Sequence, residues 1–274
     1  MTFRTLADYR ELERRANAGH SFAVIGGGFI GSELAAVLSS HGNEVTLIFP
    51  ESGIGGRIFP PGLANYLNDY YREHGASVIS GRSVQAADLI DGAMQLKLDN
   101  GDLIHANSVL AGIGITPNVR IAQEAGIKTN DGIVVDRALR TSQPDIYAAG
   151  DVARYFNSAL GAAMRFEHED NANSMGMAAG RSMAGESVAY DHLPYFYSDL
   201  FDLGYEAVGE LNPAFDIITD WPDPYRKGVV YYMHQDRVRG VLLWNVWNQV
   251  PAARRLISQT GPMKPEQLAG QIGD

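Results

Sequence analysis

The 274-residue sequence contains no cysteine. That absence removes disulfide frameworks, thiolate metal sites, cysteine nucleophiles and CxxC redox chemistry in one step. Nor does any window approach the ~20 uninterrupted apolar residues of a membrane span. The first residues, MTFRTLADYRELERRANAGH, are polar and mixed in charge, unlike a secretory signal, so the cytoplasm is the default compartment. Basic charge is in short supply: 22 Lys+Arg stand against 32 Asp+Glu, a formal net charge of −10. An acidic surface repels phosphate backbones, which argues against a nucleic-acid partner. Internal repeats and low-complexity tracts are missing as well. What remains is an ordinary globular balance, 45% hydrophobic and 20% charged, long enough for two domains or three small ones. Glycine is the exception, with 30 residues gathered largely in tight clusters.

The N-terminus reads as an amphipathic helix with Leu6, Tyr9, Leu12 and Ala16 near 3.6-residue spacing. From Ser21 to Leu110 strands and helices alternate: Phe22–Ile25, a helix over Ser32–Ser40, Glu44–Phe49, a helix over Gly62–His74, and Ser77–Ser80. Met94–Leu98 and Leu103–His105 flank Asn100-Gly101, a strong hairpin signal, and Ser108–Ala111 closes the series. This order predicts a doubly wound parallel sheet with an antiparallel extension. Further on, Gly132–Val135 and Ile146–Ala149 read as strands and Glu167–Ala184 as a helix. The last part is β-patterned at Tyr205–Gly209, Gly228–Met233 and Val238–Trp244, with a turn at His234–Arg237 and a helix opened by Pro251.

Gly26-Gly27-Gly28-Phe29-Ile30-Gly31 carries the pattern GxGxxG directly after a strand and directly before a helix. In that context Gly26 permits the tight turn, Gly28 lets backbone N–H groups approach a pyrophosphate, and Gly31 lets helix and strand pack closely. Glu51 follows the second strand about 20 residues beyond Gly31, where a ribose 2′-hydroxyl acceptor belongs. A carboxylate there favours NAD(H) over its 2′-phosphorylated form. Arg57 is either a phosphate ligand or a solvated loop charge.

Two later motifs complete a pattern. Thr141-Ser142-Gln143-Pro144-Asp145-Ile146-Tyr147-Ala148-Ala149-Gly150-Asp151 resembles the late FAD motif of the FAD-dependent pyridine nucleotide reductases. Gly112-Ile113-Gly114-Ile115-Thr116-Pro117-Asn118 resembles the segment that precedes it in that family. FRTLADYREL, LIFPES, EHEDNA, SDLFDLGYEAVGE and VLLWNVWNQVPAARRLI are similar to segments of its apoptosis-inducing-factor branch, so the resemblance spans nearly the whole chain. It implies an α/β Rossmann-like NAD-binding domain over residues 1–115, part of an FAD-binding domain over 116–191, and a C-terminal α+β reductase domain over 192–274. The implied activity is hydride transfer from NADH to FAD and onward to an unidentified electron acceptor, with a ferredoxin- or rubredoxin-type reductase as the nearest rival. A non-catalytic, NAD-responsive interaction module is the rival of another class.

The resemblance also implies residue roles. Gly28, Phe29 and Ile30 would lie at the nicotinamide, with Glu33 near the flavin–nicotinamide junction and Gly114 beside the cofactor. Glu51 and Arg57 would stand at the adenosine ribose, Asp151 at the flavin ribitol, and Arg4 near the flavin. Glu167 and His168 would line the two reacting rings, Tyr197 would supply an aromatic face, and Glu206 and Asn245 would approach from the C-terminal domain. Of these, Phe29, Glu33 and His168 stand nearest the chemistry, with His168 a candidate acid or base. Glu167-His168-Glu169-Asp170 is not expected to bind metal, because contiguous helical residues point in different directions. Arg14-Arg15 and Arg254-Arg255 read as solvated helix faces, and Trp244 and Trp247 as core or interface residues. Members of the family begin with an FAD-binding GxGxxG of their own, which is not found before Phe22. The expectation is therefore a truncated chain, or one completed by a second copy or a separate FAD-domain segment.

Overall fold

The computed structural model describes residues 1–273. By internal contacts they form two compact units, one of Met1–Gly114 with Ser198–Gly204 and Asn212–Ala214, the other of Ile115–Tyr197, Tyr205–Leu211 and the chain from Phe215 onward.

In the first unit, helix α1 (Leu6–Asn17) opens with a capping box between Thr5 and Asp8. Its expected apolar face is only partly used: Leu12 is buried, but Leu6 and Tyr9 are exposed, and Tyr9 turns its hydroxyl to Glu13. The chain then runs through β1 (Phe22–Ile25), α2 (Phe29–Ser40), β2 (Val45–Phe49), α3 (Pro61–Glu73) and β3 (Ala76–Ser80). After β4 (Val84–Ile90), β5 (Ala93–Leu98) and β6 (Leu103–Ala106), strand β7 (Ser108–Ala111) returns to the first sheet. Strands β3-β2-β1-β7 form a parallel sheet in that order. Phe22, Ala23 and Val24 are consecutive and all buried, as a strand covered on both faces requires.

The Asn100-Gly101 hairpin forms as its turn chemistry dictates, but it does not extend the parallel sheet. Strands β4-β5-β6 make a separate antiparallel sheet. Its buried residues Leu96, Leu98 and Ala106 pack against Ala23 and Ile48 of the parallel sheet. Strand β4 escapes a reading by hydrophobic pattern because none of its seven residues is buried.

The second unit holds α4 (Arg120–Glu124), β8 (Ile133–Val134), β9 (Ala153–Asn157), β10 (Ala162–Met164) and α5 (Glu169–Met183). Strands β10-β9-β8 form a small mixed sheet. The expected strand at Ile146–Ala149 does not join it; there only Tyr147 bridges to Arg140. Asp145 and Gly150, both with positive φ, turn the chain at either end of that run, and β9 takes the place in the sheet. Helix α5 starts at Glu169, with His168 as its extended N-cap, so Glu167 lies outside it.

The C-terminal part carries β11 (Tyr195–Leu200), β12 (Leu203–Gly209), β13 (Asp216–Asp223), β14 (Lys227–His234), β15 (Arg237–Trp244) and α6 (Val250–Ile257). They build a five-stranded sheet in the order β11-β12-β15-β14-β13. Gln235 and Asp236 both adopt positive φ in the β14–β15 turn, as a tight two-residue hairpin demands. Strand β13 fills a segment that the sequence reading left as a connection. Trp244 is fully buried and stacks on Tyr205 with centroids 5.6 Å apart, whereas Trp247 is exposed. Among the described residues no helix is long and apolar enough to cross a membrane.

Candidate functional site

In the first unit the strand order reverses between β1 and β7, and the crevice at their carboxyl ends is where open α/β sheets bind ligands. The glycines there divide into two kinds. Gly26 has φ +109°, and a Cβ on it would sit 2.3 Å from the Gly112 carbonyl oxygen. On Gly31 a Cβ would come within 1.8 Å of the Gly26 oxygen. Packing alone explains both. Gly28 is different: it caps α2 with an ordinary negative φ, and a Cβ there would meet nothing within 4 Å. Space is therefore left open in front of a helix N-terminus whose first turn carries no acidic residue, which is the electrostatic setting for an anion. Phe29 and Ile30 follow it, both exposed. Gly114, with φ +96°, is likewise unobstructed.

The loop after β2 is brought to the same place, for the Gly55 N–H donates to the Gly27 carbonyl. It carries Glu51 and Arg57, whose side chains form an ion pair. The guanidinium remains largely exposed to solvent in that pair. Glu33 is half-buried on α2. Burial pushes its carboxyl above the ordinary value, and the nearby Asp199 adds to the effect, while a hydrogen bond from Ser198 opposes it. Arg4 donates its backbone N–H to the Asp8 carboxylate in the α1 cap and its side chain is exposed.

In the second unit, Arg165 gathers a small group by donating to the Asp151 backbone carbonyl and to the Glu167 carboxylate. The Asp151 side chain makes no hydrogen bond among the described residues and keeps its accepting capacity. His168 stacks on Phe196, centroids 4.3 Å apart, and Phe196 meets Tyr205 edge-on. Burial lowers the His168 pKa to about 4 against the opposing charges of Asp151 and Asp170, so the ring is neutral near pH 7. In that neutral form it offers a hydrogen bond and a ring face. Tyr197 is exposed on β11. Glu206 on β12 has an oxygen, Oε2, that is buried without a partner among the described residues, and burial raises its pKa. Asn245 follows β15, the strand paired with β12, and its amide donates to the Arg226 carbonyl in the β13–β14 turn.

Two arrangements escaped the sequence reading. Ser198 meets Glu33 across 165 positions of chain, with no local pattern to announce it. Asp170 accepts from His192, from Arg254 and from the Tyr195 N–H, which ties α5, α6 and the start of β11 together. Arg254 also donates to the Leu193 carbonyl, so the expectation of a solvated face fails for it; Arg255 is exposed as expected. Arg15 likewise reaches Ser108, while Arg14 pairs with Glu11 near solvent.

Residues 1–176 match the family described as pyridine nucleotide-disulphide oxidoreductase, and residues 217–259 match the mitochondrion-associated C-terminal part of apoptosis-inducing factor. The chain is 33% identical to "Apoptosis-inducing factor 1, mitochondrial" of Dictyostelium discoideum, over 93% of this chain and 52% of the relative. It is also 33% identical to the anthranilate 1,2-dioxygenase system ferredoxin–NAD(+) reductase component of Burkholderia cepacia, over 97% of this chain and 66% of that protein. Among solved structures, a ferredoxin reductase from Rhodopseudomonas palustris superposes with a TM-score of 0.90 at 28% identity, covering 98% of this chain and 67% of that one. The chain thus spans from half to two thirds of the length of these two curated relatives.

Proposed function

The chain belongs to the pyridine nucleotide-disulphide oxidoreductase family, and from that premise we propose that it works in an NADH-dependent FAD oxidoreductase. NADH and FAD supply hydride and electron transfer, chemistry that amino-acid side chains do not provide. The observation that carries the reading is Gly28, the one fingerprint glycine whose missing side chain leaves open space in place of a packed neighbour.

The residues present fit such ligands. The α2 N-terminus at Gly28–Ile30 would hold the pyrophosphate and present Phe29 to the nicotinamide. Glu51 would accept the ribose hydroxyls and repel a 2′-phosphate, which selects NADH. Glu33, half-buried and hydrogen-bonded by Ser198, would stand at the edge of the same crevice. In the second unit Asp151 would accept from the flavin ribitol. Glu167, held by Arg165, and the neutral His168 would orient the ring system without exchanging protons. The unsatisfied oxygen of Glu206 would take a further donor, and Tyr197 would give an aromatic face. The relatives named as ferredoxin reductases favour a ferredoxin as the acceptor.

The test is titration calorimetry of the chain with NADH and, separately, with NADPH. Saturable NADH binding with a weaker NADPH response is expected. No binding of either nucleotide contradicts the reading.

A further inference from the structure

Ser198 lies on β11, is only 2% exposed, and donates its hydroxyl to Glu33 Oε1 at 2.5 Å. It does not depend on Glu33 for its position. The segment Ser198–Gly204 belongs by its contacts to the first unit, and its turn is anchored on α3. There Phe201 packs edge-on against Tyr71, centroids 5.0 Å apart, and Asp202 accepts from the Tyr70 hydroxyl. Tyr71 in turn donates its hydroxyl to the Ser32 carbonyl, the residue before Glu33 on α2. One aromatic ring therefore braces both the strand that carries the donor and the helix turn that carries the acceptor.

We propose that Ser198 is a positioning residue for Glu33: its hydroxyl fixes the rotation of the carboxyl group and leaves Oε2 as the oxygen that holds a proton or meets a ligand. A hydrogen bond to Oε1 stabilises the charged carboxylate, so Ser198 also opposes the upward pull of burial and of Asp199 on β11. From α3 the group facing this turn of α2 is Tyr71, which is bonded to backbone. The inference rests on the reading above that Glu33 faces the nucleotide.

The experiment is a pH titration of the Glu33 carboxyl by carbon-13 NMR in the ligand-free chain, in wild type, S198A, S198C and S198T. Loss of the strong donor in S198A raises the midpoint. S198C, which keeps the volume, raises it too, and S198T restores it. Midpoints unchanged in both S198A and S198C overturn the proposal, and S198C stands alone if the alanine variant does not fold. NADH binding by the wild type is measured apart from this, so an absent nucleotide response with a shifted Glu33 midpoint refutes the proposed function and leaves the Ser198–Glu33 coupling in place.

Discussion

Replacing Gly28 by alanine separates folding from ligand binding. The backbone there sits at φ −84°, ψ −167°, which an alanine adopts without strain, and the new methyl meets no atom of the chain within 4 Å. Alanine is a poorer N-cap than glycine by roughly 0.5–1 kcal/mol, but it also removes about 0.4–1 kcal/mol of unfolded-chain entropy. The two nearly cancel, so thermal denaturation of G28A should match wild type within about 0.5 kcal/mol. A methyl that intrudes where a pyrophosphate must approach should nonetheless weaken NADH binding by at least about tenfold, or ~1.4 kcal/mol. G31A supplies the contrast: its Cβ would lie 1.8 Å from the Gly26 carbonyl, so the helix must move and stability should fall by about 3 kcal/mol. Calorimetric titration beside thermal melts reads both quantities. A G28A protein that binds NADH like wild type would refute the argument that this open space is the phosphate cradle.

Other expectations follow from the same geometry. Glu51→Gln releases Arg57 from its ion pair and removes the charge that repels a 2′-phosphate, so NADPH should gain about tenfold against NADH in parallel titrations. An unchanged preference removes Glu51 from the ribose site. His168 has a folded pKa of about 4 against 6.5 for the free side chain. Its contribution is therefore complete above pH 6.5 and is lost as pH falls towards 4, up to about 3 kcal/mol. Denaturant melts across that range should show the slope in wild type and a shallower one in His168→Asn. Asp170→Ala leaves His192 and Arg254 without their shared acceptor and should cost about 2 kcal/mol. A melt unchanged by that substitution means the cluster is solvent-screened.

The parallel sheet was legible because its strands are short apolar runs between glycine turns, and Phe22–Ile25 is buried almost throughout. The dinucleotide turn was legible because its spacing is dictated by backbone approach, which Gly26 and Gly31 display directly. Strands β4 and β13 were not, since both are sheet edges that bury little, and Pro222 inside β13 speaks against a strand everywhere except at an edge. Ile146–Ala149 misled for the opposite reason: its residues are apolar and β-prone, yet positive φ at Asp145 and Gly150 limits the run. In the candidate site, the residues that could be named in advance were those with a local motif. Ser198 and the Asp170–His192–Arg254 group act through partners distant in sequence, which no periodicity records. Asn245 was placed by resemblance, and its amide also donates to the Arg226 carbonyl.

The central claim is tested most directly by the nicotinamide fluorescence of NADH titrated into the chain without added flavin, in wild type and in G28A. Saturable enhancement in wild type that G28A weakens by about tenfold or more is the expected result. A signal that does not saturate, or one that G28A leaves unchanged, would contradict the claim.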